Sequence, residues 1–205
     1  MDQNNLLMVF AKNPDLGKVK TRLARTIGEE KALAVYLKLL EHTYAIADKA
    51  FADKAIFYSD RVEEFDILDY YKFPKFLQKG KDLGERMDRA FGEAFAQGYG
   101  KVVIIGSDCY ELTDEIIQHA FDLLDEKNVV LGPAKDGGYY LLGMNRHYSH
   151  LFRDKKWSTP DVLLDTIIDI QKLKLKYALL PTLNDVDEED DLGPLRDIIL
   201  NSEDK

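Results

Sequence analysis

Val102-Val103-Ile104-Ile105, running directly into Gly106-Ser107-Asp108, is the stretch on which the fold turns. Four β-branched residues in succession read as a strand buried on both faces, and Gly-Ser-Asp ends it. Such strands belong to parallel sheets, whose neighbours are joined by helical crossovers. Residues 6–11 (Leu-Leu-Met-Val-Phe-Ala) form a second run of this kind, closed by Asn13-Pro14. Residues 55–58, 129–131, 139–142 and 177–180 read as further strands.

Helical patterns lie between the strands. Leu33, Tyr36, Leu40, Tyr44 and Ala47 fall on one face, predicting a helix from about 28 to 49. Leu83, Met87, Phe91 and Phe95 mark another, ended by Gly98 and Gly100. Thr113 is placed to cap a third helix, with Asp114 and Glu115 in its first turn and Ile116, Ala120 and Leu124 facing inward. Thr159-Pro160 predicts a helix through about 173 with proline at its first position, and a last helix is expected near Glu188. Strand–helix alternation gives an α/β class: a single-domain α/β/α sandwich over residues 1–205 with a mixed, mostly parallel central sheet. The mixed element comes from the hairpin-like pair around 132–138.

The 205 residues are 45% hydrophobic and 32% charged, enough apolar material for a sizeable core and too much for a disordered chain. Net charge is −9 with a pI near 5.0, which argues against nucleic acid as a partner, since phosphate backbones need a basic footprint. The single cysteine, Cys109, cannot form an internal disulfide and reads as a packed small residue; no Cys/His cluster has zinc spacing. No apolar run approaches the ~18 residues of a membrane span, and residues 1–11 lack the features of a signal peptide. A cytoplasmic protein is expected.

Charge is unevenly placed. Residues 12–25 carry five cations (Lys12, Lys18, Lys20, Arg22, Arg25) against Asp15, whereas residues 181–205 carry nine acids against Arg196 and Lys205. A basic loop after the first strand suits a polyphosphate, and acidic loops at other strand ends suit its metal; a solvated surface is the plain alternative. Lys20-Thr21 lacks the glycine spacing of a phosphate-binding P-loop, which excludes a Walker-type NTPase. The physical content of the loop remains. Gly17 admits close backbone approach, Arg22 offers a bidentate fork and Lys20 a point charge.

Asp108, at the end of the central strand, is placed to hold Mg²⁺, a hard cation that prefers oxygen, or else to cap the next helix. Asp185 and Asp187 alternate along an extended segment and so point the same way. Asp136-Gly137-Gly138 is a tight turn that admits a ligand close to the backbone, though a hairpin turn explains it equally. Gln78 precedes a glycine-bearing loop and offers an amide to a base edge. Trp157, the single tryptophan, offers a stacking face for a sugar or acceptor, with core packing as the alternative.

Taken together, the segments AKNPDLGKVKTRLA (11–24), QKGKDLGERM (78–87), IIGSDCYEL (104–112), GPAKDGGYYLLG (132–143), WSTPDVL (157–163) and LNDVDEEDDL (183–192) span nearly the whole chain. They resemble the GT-A-type nucleotide-diphospho-sugar transferase superfamily, and most closely its small bacterial radical-SAM-associated glycosyltransferase-like family. The layout is also similar to that of molybdenum-cofactor and 2-phospholactate guanylyltransferases. The resemblance implies that Lys12, Gly17, Lys20 and Arg22 surround the nucleotide's phosphates, and that Gln78 and Gly84 belong to the loop meeting the base. It implies metal ligation by Asp108 and, from the last loop, by Asp187 and Asp185. Asp136, Gly137 and Gly138 match the turn beside acceptor or sugar. Two departures stand out: Tyr110 replaces the family's proline after the cysteine, and no full Asp-x-Asp follows the central strand. One aspartate from each of two loops would then do the work.

The resulting expectation is a Mg²⁺- or Mn²⁺-dependent glycosyltransferase taking a nucleotide-diphosphate sugar and a small-molecule acceptor, with Asp136 as base. The alternatives are a nucleotidyltransferase that releases pyrophosphate from an NTP, and a non-catalytic nucleotide-binding module.

Overall fold

A computed structural model describes residues 4–63 and 69–196. The seven-stranded sheet comprises β1 (Asn5–Ala11), β2 (Asp53–Tyr58), β3 (Lys75–Leu77), β4 (Lys101–Gly106), β5 (Val129–Pro133), β6 (Tyr139–Met144) and β7 (Tyr177–Leu179). Their spatial order is β3-β2-β1-β4-β6-β5-β7. β1 pairs in parallel with both β2 and β4, while β6 runs antiparallel between β4 and β5. The expected mixed, mostly parallel sheet is therefore present, and the 132–138 pair supplies its antiparallel member.

Alternation along the central strands builds three layers. Leu7, Val9, Val103 and Ile105 point to one face, where α2 (Glu29–Lys49) and α4 (Asp114–Leu123) bury Tyr36, Tyr44, Ala47, Ile117 and Phe121. Leu6, Met8, Val102 and Ile104 point to the other, covered by α3 (Leu83–Ala96) and α5 (Val162–Lys172) through Met87, Phe91 and Ile170. A third cluster joins Leu23 of α1 (Thr21–Ile27) and Val35 and Leu39 of α2 to Val186, Leu192 and Leu195. It fastens the last part of the described chain beside the helix that follows the basic loop. Among the described residues no helix is long and apolar enough to cross a membrane.

Several expectations shift in detail. α1 and β3 have no counterpart in the sequence reading, since each is too short to show a period. Pro160 does not open α5, which begins at Val162; Thr159 and Val162 close a turn around the proline instead. Ile117 rather than Ile116 takes the fully buried place on α4, and Leu83 stays 40% exposed where α3 begins at the rim of a cavity. The expected last helix is a 3-10 turn, Glu189–Leu192, capped by Glu188; whatever continues past 196 lies outside the described residues.

The chain leaves β1 toward β2 and later leaves β4 for β5, two places along on the opposite side, before β6 returns to fill the gap. Strand order thus reverses between β1 and β4, and their carboxyl ends face a crevice of the kind that binds ligands in open α/β sheets.

Candidate active site

The loop leaving β1 is fixed from two sides. Tyr36, buried in α2, accepts a hydrogen bond from the Lys12 backbone N–H (2.8 Å), donates to the Lys12 carbonyl (2.9 Å) and lies 3.2 Å from Ser107 Oγ. A helix side chain thereby ties the ends of β1 and β4 together. Asn13, 2% exposed, accepts from the Asp60 N–H (2.9 Å) and donates to the Arg61 carbonyl and the Glu63 carboxylate. Arg61 clamps Asp15 through two bonds of 2.7 and 2.9 Å. Hydrogen bonds from Arg61 and Lys18 hold the Asp15 carboxyl well below the usual carboxylate range. Sequence reasoning missed this clamp, because Asn13 reads as a turn residue and its partners lie across the sheet.

The clamp delivers Lys20. Its backbone is left-handed (φ 47°), a conformation costly for a residue bearing a Cβ, and its carbonyl starts α1. The Lys20 side chain is only 4% exposed, and its ammonium lies 2.5 Å from Asp108 Oδ1 and 3.4 Å from Asp187 Oδ1. Arg22 Nη1 lies 3.6 Å from the other oxygen of Asp187. Burial lowers the ammonium's affinity for its proton, but Asp108, Asp187 and Asp185 outweigh it and raise Lys20 above the ordinary lysine value.

Backbone contacts carry the two acids together. The Val186 N–H donates to the Asp108 carbonyl (2.9 Å), stitching the last loop to the turn after β4. Asp191 shapes that loop by accepting from Asn184 Nδ2 and from the backbone N–H groups of Asp187 and Glu188. Glu111 holds the Asn184 N–H. Burial first, then the charges of Asp108 and Asp136, push the Asp185 carboxyl up to about 7. Cys109 is packed, as expected; burial and then Asp185 push its thiol up to about 12, so it is no nucleophile near neutrality.

These groups line one cavity of about 710 Å³ at the carboxyl ends of the strands. Lys12, Lys20 and Arg22 enter it from the first loop, Asp108 from β4, and Asp185 and Asp187 from the last loop. Asp136, Gly138 and Trp157 also line it. Gln78 also lines it, but both hydrogens of its amide go to the carbonyls of Phe57 (2.8 Å) and Ala11 (3.2 Å). Its oxygen faces Arg86, an unforeseen cavity residue on the first turn of α3.

Gly17, Gly84 and Gly137, expected to meet the ligand, are not among the residues lining the cavity; each makes room for a neighbour instead. A Cβ on Gly84 would fall 2.0 Å from Trp157 Nε1, so this glycine lets the indole lie against α3. Trp157 is both wall and packing residue, stacked on Phe152 at 6.2 Å. Gly137 (φ +90°) turns beneath the Pro160 carbonyl, and Gly17 (φ +74°) turns beside Glu29. Asp136 accepts from the Gly138 N–H at 2.8 Å, which orients its carboxylate.

Among the described residues, no three His, Cys, Asp or Glu side chains already form a metal-holding group. The donor chemistry nonetheless fits a hard divalent cation. Burial, and then the nearby carboxylates of Asp108, Asp136 and Asp187, raise Asp185, and Mg²⁺ needs only one or two protein carboxylates when phosphates and water complete its shell.

The chain resembles known proteins in sequence and in fold. A family model described as "Uncharacterized protein conserved in bacteria (DUF2064)" matches residues 42–159. A crystal structure from Desulfovibrio desulfuricans G20, provisionally named a nucleotide-diphospho-sugar transferase, shares 33% identity at TM-score 0.86. The match covers 97% of this chain and 88% of that one. CMP:2-keto-3-deoxy-manno-octonic acid synthetase in complex with CTP (8% identity, TM-score 0.59, 97% and 99% covered) is alike in fold. So is the inositol-1-phosphate CTP transferase of T. maritima (12%, 0.59, 98% and 97% covered). No curated protein matches the sequence.

Proposed function

The chain belongs to the DUF2064 family of bacterial proteins, and from that premise and the chemistry of its cavity we propose that it is a transferase acting on a nucleotide donor. The donor is a nucleotide-diphosphate sugar and the acceptor a small hydroxylated molecule. One observation carries the reading: the Lys20 ammonium, from the first loop, touches carboxylates from the central strand and from the last loop within a single cavity. Cations and acids so interleaved suit a diphosphate that gathers negative charge as it leaves.

Lys12, Lys20 and Arg22 take the phosphate oxygens, with Arg22 able to engage two at once. Asp108 and Asp187 hold Mg²⁺ or Mn²⁺, with Asp185 adjacent; a bound ion supplies charge neutralisation on the departing diphosphate. The acceptor hydroxyl attacks the anomeric carbon and gives its proton to Asp136 as the bond from that carbon to the diphosphate oxygen breaks. Trp157 and Gly138 bound the space left for sugar and acceptor.

Calorimetry of the full chain with UDP, GDP and CDP and their sugars, each with and without Mg²⁺, tests the reading. Metal-dependent binding of at least one is expected; no binding of any nucleotide removes it. A second reading draws on the same basic loop, whose cations also match a triphosphate: a nucleotidyltransferase joining NTP to a phosphorylated acceptor. Pyrophosphate release in the presence of phosphorylated acceptors separates the two.

A further inference from the structure

The lysine and the acids of the cavity are buried to very different degrees. The Lys20 side chain is 4% exposed, whereas those of Asp108 and Asp187 are 34% and 39% exposed. The carboxylates therefore face the cavity with the ammonium beneath them, in contact with an oxygen of each. The backbone that carries this lysine is held in place. On one side the loop is clamped by Asn13, and on the other α1 is anchored through Leu23 to Val186 and Leu192. The other groups facing Lys20 are Asp185, with Asp136 beyond it, and Arg22 alongside Asp187.

We propose that Lys20 bars Asp108 and Asp187 to a free divalent cation and yields them only when a nucleotide's phosphates give the ammonium another partner. This rests on the metal-site reading above. A lone ion arriving at Asp108 and Asp187 meets a positive charge already in contact with the oxygens it needs, with the Arg22 guanidinium close by. Its gain from the carboxylates is offset by that repulsion. A nucleoside diphosphate changes both sides of the balance. Its oxygens accept the Lys20 ammonium, within reach of a flexible four-carbon stem, and also add hard ligands for the ion. Nucleotide and metal thus enter as a pair, and the free protein stays closed to metal alone. No covalent step is involved; the device is an exchange of one cation for another on two carboxylates.

Mn²⁺ titrations of the chelator-treated full chain, followed by the paramagnetic resonance of the free aqua ion, test this without nucleotide or turnover. Lys20→Gln should bind Mn²⁺ tighter than wild type by about tenfold or more, since it removes a like charge from the site. Lys20→Arg keeps the charge and should bind as weakly as wild type. Adding Asp108→Asn to Lys20→Gln should abolish the gain, which places it at this pair. Should Lys20→Gln fail to fold by circular dichroism, Lys20→Met, which keeps the aliphatic stem, takes its place. Affinity within twofold of wild type for the neutral variant, or a gain retained by Lys20→Arg, overturns the proposal. Failure of every nucleotide to bind would instead overturn the transfer reading and leave these nucleotide-free arms standing.

Discussion

Substituting Gly137 by alanine tests whether the turn that carries Asp136 packs against the Pro160 segment as described. Gly137 has φ +90°, and a Cβ there would fall 2.0 Å from the Pro160 carbonyl oxygen and 2.7 Å from two further backbone atoms of Pro160. Neither is the flexible end of a side chain, so the turn or the Trp157 loop must move. Two costs combine: about 1–2 kcal/mol for a non-glycine residue in the left-handed region, and about 1–3 kcal/mol for forced overpacking. Gly98→Ala separates them. Gly98 has nearly the same φ, +94°, with nothing within 4 Å of its would-be Cβ, so it incurs the backbone cost alone. Thermal unfolding followed by circular dichroism should place Gly137→Ala below Gly98→Ala by about 2–12 °C, at roughly 2–4 °C per kcal/mol for a chain of this size. Because the turn carries Asp136, the KM for the acceptor should rise in Gly137→Ala and not in Gly98→Ala. Equal melting temperatures for the two variants would refute the steric reasoning.

Asp108→Asn should lower turnover by at least about 100-fold with the far-ultraviolet spectrum unchanged, because it removes a charge set against the leaving group; retention of more than a tenth of the activity counts against its role. Tyr36→Phe removes the hydroxyl that pairs with both the Lys12 N–H and its carbonyl and should cost about 1–3 kcal/mol in urea unfolding for the two bonds, and an unchanged midpoint would show that another group satisfies them. Asp185 gives a pH signature. Its carboxyl is raised to about 7 in the folded protein from the ordinary 3.8, so the native state holds its proton more tightly than the unfolded chain does. The stability it contributes is full below about pH 4 and is lost as pH rises through about 7. In chelator, the advantage of Asp185→Asn over wild type should therefore grow from pH 4 to pH 7 and level off above; a gap that stays flat across that window refutes the assignment.

The buried strands were legible because their signal is local. The runs in β1 and β4 declare themselves in a few residues, and the rule that ligands gather at strand ends then selects Asp108, the first loop and the last loop without further help. What escaped depends on distance along the chain. Lys20 and Asp187 are separated by 167 positions, and nothing in either neighbourhood announces that one ammonium touches both acids. The Asn13 clamp across to Asp60 and Arg61 is of the same kind. α1 has seven residues with only Leu23 fully buried, too little for a period, and β3 is a three-residue edge strand with Phe76 48% exposed. The stripe read along α2 was the face toward the sheet; Ala32, Val35 and Leu39 form a second face whose partners, α1 and the last loop, are placed by tertiary structure alone. Gln78 and Gly84 show the converse, since their residue types fit a ligand loop while the amide is held by two strands and the glycine makes room for an indole.

The stitch between Val186 and Asp108 has a bearing on biosynthesis. During translation the lysine leaves the ribosome early, followed much later by the first of its acids and last by the second, so the nascent chain can complete most of the sheet while its basic loop still lacks half its counter-charges. Closing so long a span is entropically slow and comes late in folding. The cavity is thus complete only once the segment that carries Asp185 and Asp187 has docked against the turn after β4.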